Sequence, residues 1–209
     1  MEGSPILKLM RHNEAYDCVC ITTYRSNMER DDAGIQKRNA RVSNRAANNA
    51  LGAVLRKMGY GVAKVVGKYP EEGGQSNERE NGWFVANVND DLDFIGSSAD
   101  LDEADEQDAI LVIPKGCLLS GRGCYLYGTK NAPGAWVGYH ERKAADGISI
   151  DGDATFEVSI GGKRCSFSIA DESDKDEFWA PSSMYGAHAR HVYIKSHYGL
   201  DFFNVKGTE

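Results

Sequence analysis

Residues 43–61, SNRAANNALGAVLRKMGYG, constrain the fold most. Ala47, Leu51, Val54, Leu55 and Met58 recur at intervals of three and four. That spacing predicts an amphipathic helix whose apolar stripe must be buried against another element. Gly59 stands just after the last periodic residue, where a left-handed C-cap is favoured. The pattern leaves the start of the helix open between Gly34 and Ser43. With 209 residues, the chain is long enough to bury a substantial core around this helix.

Strand signals flank it. Residues 17–25, DCVCITTYR, alternate and are rich in β-formers, so Cys18 and Cys20 share one face. Residues 60–66 and 83–88 read as further strands, and 67–82 as a long polar loop between them. Residues 101–107 suggest a short helix capped by Asp100, followed by the continuous apolar run AILVIP at 109–114. The second half carries short alternating segments at 124–127, 135–140, 154–160 and 164–169, punctuated by glycine. Ile160-Gly161-Gly162-Lys163 has the form of a two-residue hairpin. A last strand is read at 192–196, beyond a charged break at 171–177. These features predict an α+β fold: one main helix packed on a mostly antiparallel sheet, with a β-rich C-terminal half. The chain reads as a single domain over 1–209, with a subdivision near 116–123 left open.

Composition narrows the class. No apolar run approaches the roughly 18 residues of a membrane span, so no membrane partner is expected. The N-terminal stretch lacks the long apolar region of a secretory signal. Five cysteines, an odd number, fit free thiols in a reducing cytoplasm. The net charge of −7 disfavours a large nucleic-acid surface overall. The charge is uneven, though. Residues 30–57 include Arg30, Lys37, Arg38, Arg41, Arg45, Arg56 and Lys57, whereas 90–108 are acidic with no basic residue.

Thr22-Thr23 in the first strand, Asn44-Arg45-Ala46-Ala47-Asn48-Asn49, Leu51, Leu55-Arg56, Gly59-Tyr60-Gly61, Val66-Gly67-Lys68-Tyr69 and Gln107-Asp108-Ala109-Ile110 occur in that order. This arrangement resembles the bacterial and phage domain-of-unknown-function family 3293. Gly128-Thr129 and Phe167 extend the resemblance, which covers roughly residues 18–167. Where relatives carry a Glu-Ser pair, this chain reads Asn81-Gly82-Trp83. The family brings no established activity. The resemblance implies a cytoplasmic α+β protein of phage type, acting in a host cell.

Asn is a poor helix former because its side chain competes for backbone hydrogen bonds. Three asparagines in six helical residues therefore need a reason. Arg41, Asn44, Arg45, Asn48 and Gly52 fall at i, i+3, i+4, i+7 and i+11, a polar face read as opposite the core stripe. One reading is a surface that binds a phosphate, a base edge or a partner's backbone. The other is that the asparagines tie the helix to neighbouring strand ends. Gln107 and Asp108 precede a buried strand, where they either line a site or bond across the fold. His188, His191 and His197 lack the spacing of a zinc site, and no metal or cofactor is assigned. The acidic run is either a solvated face or a surface that imitates nucleic-acid phosphates toward a basic partner.

No nucleophile with a paired base stands out. The first functional reading is a non-catalytic, phage-type accessory protein that binds and modulates a host or defence protein. The alternative is a small nucleotide-binding protein or enzyme using the Asn/Arg helix face, with nucleotide or nucleic acid as ligand. A minor virion component is a third class. The candidate binding residues are Arg41, Asn44, Arg45, Asn48, Gln107 and Asp108.

Overall fold

The computed structural model describes residues 5–24, 35–70, 77–150, 155–160 and 162–169. The elements are α1 (Pro5–Ala15), β1 (Cys18–Ile21), α2 (Ile35–Lys57), β2 (Gly61–Pro70), β3 (Asn77–Ala86), α3 (Phe94–Ala104), β4 (Ala109–Ile113), α4 (Cys117–Ser120), β5 (Tyr125–Gly128), β6 (Arg142–Ile150), β7 (Thr155–Ile160) and β8 (Lys163–Ile169). The strands close into a barrel in the order β1-β3-β2-β8-β7-β6-β5-β4. Every pairing is antiparallel, and β1 joins the ends by pairing with both β3 and β4.

This corrects the expected α+β fold of one helix on an open sheet. Two features account for the difference. The stretch read as a polar loop, 67–82, contributes to a long hairpin in which Gly61–Pro70 pairs residue for residue with Asn77–Ala86. Its polar composition mimics a loop because part of it faces solvent. Strand β6, RKAADGISI, is short of β-branched and aromatic residues and gives almost no propensity signal. With both supplied, the two halves of the sequence become one closed sheet with no free edge. Residues 135–140, expected as a strand, form the turn-rich connection between β5 and β6. The expected strand at 192–196 and the charged break at 171–177 lie outside the described residues.

Side chains alternate across the wall. Cys18, Cys20, Phe84, Leu111, Ile113, Leu126, Phe156, Val158, Ile160, Cys165 and Phe167 fill the interior. Phe156 and Phe167 stack there with ring centroids 4.8 Å apart. Val19, Ile21, Trp83, Val85, Ile110 and Val112 point outward and form a second core with Leu51, Val54, Leu55, Phe94 and Leu101. Helix α2 covers β2 and β3, and α3 covers β4 and β1. The runs CVCI and AILVI are apolar throughout because both faces of those strands are buried. Helix α2 ends as the Gly59 reading predicts. Gly59 sits at φ +87°, its N–H donates to the Arg56 carbonyl at 3.0 Å, and the Tyr60 N–H donates to Leu55 at 3.1 Å.

Since neighbouring strands alternate in direction, the barrel has two distinct ends. One is closed by α1 and α4. There the buried Asn13 amide donates to the Ile113 and Pro114 carbonyls at 3.1 and 2.9 Å, and its oxygen accepts from the Leu118 N–H at 2.8 Å. A disulfide joins Cys117 to Cys124 across the α4 turn, with the Cα atoms 6.3 Å apart. The expectation of five free thiols is thereby corrected. Cys18, Cys20 and Cys165 are free and buried, and the cysteine pattern no longer argues for a reducing compartment. Among the described residues no helix is long and apolar enough to cross a membrane.

Candidate functional site

The other end gathers the polar residues. Here β1 and β5 finish and β3 and β4 begin, so Thr22, Thr23, Asn81, Asp108 and Thr129 meet at one rim. The Thr22 hydroxyl donates to the Asn81 carbonyl at 2.7 Å, and the Thr129 N–H donates to the Asp108 carbonyl at 3.2 Å. A narrow crevice opens at this rim, lined by Cys20, Val65, Gly67, Glu80, Gly82 and Phe167 among others. Burial lifts the Cys20 thiol above its usual range, so it is an inert core group here.

The structure places the helix residues as follows. Arg41 is exposed and Arg45 half-buried, while Asn44 and Asn48 are 1% and 3% exposed. The asparagines therefore lie on the same side of α2 as Leu51 and Leu55, extending the core face instead of opposing it. The helix backbone comes close to the sheet at Gly52, where an added Cβ would run into the Trp83 indole. Trp83 Nε1 donates to the Asn48 carbonyl at 2.7 Å, and the Arg56 guanidinium sits 4.8 Å from the ring centroid. The backbone of Asn48 makes this bond, whereas its side-chain Oδ1 is buried without a partner among the described residues.

Gln107 and Asp108 occupy the turn between α3 and β4. The Gln107 N–H donates to the Asp102 carbonyl at 3.1 Å, and its side chain donates to the Asp105 carbonyl at 3.3 Å. Asp108 is exposed and pairs with Lys130 at 2.6 Å. Beneath the turn lies Asp102, 1% exposed, whose Oδ2 accepts from the Thr129 hydroxyl at 2.6 Å. Burial raises its carboxyl well above the usual range. The Thr129 bond opposes that shift, and the neighbouring Asp105, Asp108 and Glu80 carboxylates add to it. Asp102 Oδ1, Ser98 Oγ and Thr23 Oγ1 are also buried without partners among the described residues. The sequence alone concealed Asp102 within the acidic run. Once α3 is seen to start at Phe94, Ser98, Leu101 and Asp102 follow at i+4, i+7 and i+8, on the buried stripe.

Most of the acidic run faces outward, although Asp105 is buried as well. Asp90, Asp93, Asp100, Glu103, Glu106 and Asp108 are exposed. Asp93, Asp100 and Glu103 fall at i, i+7 and i+10, making one ridge along α3. The helix starts at Phe94, not after Asp100, and Asp93 at its N-cap position makes no side-chain cap bond. Ahead of it stands a turn held from several sides. The Asn87 side chain donates to the Asp91 carbonyl and accepts the Asp91 N–H, both at 2.8 Å. The Tyr60 hydroxyl donates to the Asp91 carboxylate, which also accepts the Asp93 N–H at 3.0 Å. These bonds, the Tyr60 one foremost, hold the Asp91 carboxyl below its usual range and keep it ionised. Asn89 ties the same turn to the Met58 carbonyl at 3.1 Å. The turn presents Leu92, which is fully exposed.

Among the described residues no group of three or more His, Cys, Asp or Glu side chains is arranged to hold a metal. His188, His191 and His197 lie outside them. No family model, curated protein or solved structure matches the chain.

Proposed function

We propose that this is a non-catalytic interaction protein that docks on a basic protein surface through the α3 ridge, with Leu92 as the apolar anchor. The observation that carries the reading is Leu92 itself: a leucine fully exposed on a turn fixed by Asn87, Asn89 and Tyr60. A flexible loop would lose entropy on docking, whereas a turn held in place loses little. Carboxylates surround the anchor, so the complementary partner is basic with an apolar socket.

The helix supports this from its own energetics. The last turn of α3 carries no basic residue, and Glu103, Asp105 and Glu106 stand at the end where the helix dipole disfavours anions. A local rule broken in this way is expected where a surface serves binding. The resemblance to family 3293 makes a bacterial host or defence protein the partner in view.

Affinity capture from bacterial lysate tests the reading by comparing the native chain with Leu92→Ser and with a combined Asp93→Asn, Asp100→Asn, Glu103→Gln variant. A basic protein retained near stoichiometrically, lost from both variants and released by salt supports it. Equal retention by all three chains, or release of a bound nucleotide on denaturation, would sink it.

A further inference from the structure

We infer that the polar end of the barrel carries an oxyanion site, built by Lys143 and Lys163 over Trp136 and suited to a phosphate or diphosphate group. It is independent of the α3 ridge. The floor of the site follows from a glycine. A Cβ on Gly128 would collide with the Gly138 carbonyl oxygen and lie 3.0 Å from that of Val137. The segment 136–138 therefore rests against β5 at a closeness that only glycine permits. This seats Val137, 2% exposed, in the interior core and packs Trp136 against that core. An indole thus caps this end of the barrel.

Two strands bring a cation to that ring. Side chains alternate along β8, and Cys165 and Phe167 point inward, so Lys163 does too. Ala145 packs on the interior core, which puts Lys143, two residues earlier on β6, on the same side. Lys143 Nζ lies 5.3 Å from the Trp136 ring centroid and Lys163 Nζ 5.0 Å. Both lysines are half-buried. Lys143 donates to the Trp136 carbonyl at 3.3 Å, yet among the described residues neither lysine forms an ion pair. The Lys163 charge is felt inside the barrel. Burial raises the Cys165 thiol, and Lys163 pulls against that shift.

Two ammonium groups gathered on one ring repel each other, and cation–π attraction at a partly exposed indole is a weak offset. An anion held by both removes the repulsion, and lysine binds phosphate as a point charge. The chain carries a net charge of −7, so carboxylates are in excess. Glu141, on the same side of β6, turns its carboxylate onto Gly138 instead of pairing with either lysine. Glu80 faces the same end from β3. These two carboxylates weaken the positive potential of the site without filling it. Below the indole, Ile160, Cys165 and Phe167 occupy the interior. The site therefore takes a charged head group and no apolar body.

The test is calorimetric titration of the full chain with inorganic phosphate and with diphosphate, at constant ionic strength against a chloride control. Saturable binding in the millimolar range or tighter is expected. Lys143→Gln and Lys163→Gln keep a stem on Trp136 and remove the charge, so each should weaken binding about tenfold. Lys143→Arg should retain it. Glu141→Gln should tighten it severalfold by removing a like charge. Glu141 is exposed, so this variant also keeps the test open if the lysine variants fail to fold. Phosphate should raise the Tm of the native chain more than that of the double glutamine variant. Comparing the two cancels the general stabilising effect of phosphate. No saturable binding, or affinity that Glu141→Gln leaves unchanged or lowers, would overturn the inference. So would unchanged affinity in both glutamine variants, which would mean an adventitious ion only.

Discussion

Asp102→Asn should stabilise the protein, and increasingly so as pH rises. Asp102 is 1% exposed, receives one hydrogen bond from Thr129 at 2.6 Å, and leaves Oδ1 without a partner among the described residues. Its folded carboxyl titrates well above the usual range because of burial, reinforced by the carboxylates of Asp105, Asp108 and Glu80. The sign follows directly. Above the unfolded value near 4, the unfolded chain has released a proton that the folded chain still holds. Stability therefore falls with rising pH by up to about 1.4 kcal/mol per unit, until the folded carboxyl also ionises. Asparagine has the same shape, accepts the Thr129 hydroxyl through Oδ1, and carries no charge at either pH. The variant should match the native chain near pH 4 and be the more stable of the two near pH 7. Urea melts of both proteins at the two pH values provide the assay. A difference that does not change with pH, or a variant less stable at pH 7, would refute the placement of a neutral carboxyl under the Gln107–Asp108 turn.

Gly52→Ala should cost about 1–3 kcal/mol in a thermal melt, even though alanine favours helices by about 1 kcal/mol, because its Cβ meets the Trp83 indole. A stabilised variant would mean that α2 does not approach β3 as described. Thiol titration should find no reactive cysteine in the native chain, three after unfolding and five after reduction, in keeping with three buried free thiols and one disulfide. Five before reduction would rule the disulfide out. Asn48→Ala should lower stability by no more than about 1 kcal/mol, since its backbone carbonyl, not Oδ1, takes the Trp83 bond. A larger loss in a urea melt would show that the amide holds α2 in place.

The legible parts of the fold were those where local pattern and tertiary environment agree. Leu51, Val54 and Leu55 mark the core face of α2, Gly59 its end, and AILVI a strand buried on both faces. Ile160 and Lys163 pair across the tight hairpin, as the Gly161-Gly162 step predicts. Barrel closure was not legible. It depends on the pairing of β2 with β8 and of β1 with β4, contacts between residues about a hundred positions apart that leave no local trace. The hairpin at 61–86 was hidden by its polar composition, and β6 by its alanines and glycine.

The candidate residues divide along the same line. Arg41 and Arg45 sit at the surface or partly so, Gln107 and Asp108 in a turn. Asn44 and Asn48 are buried because the helical period puts them beside Leu51 and Leu55.

The central claim is that a partner meets this chain at the α3 ridge, and carboxyl footprinting of the captured complex tests it most directly. Asp93, Asp100 and Glu103 are exposed in the free chain, as is Asp146 on β6, away from the ridge. The ridge carboxyls should lose labelling on complex formation while Asp146 keeps it. Unchanged labelling along the ridge, or protection at Asp146 instead, would contradict the account.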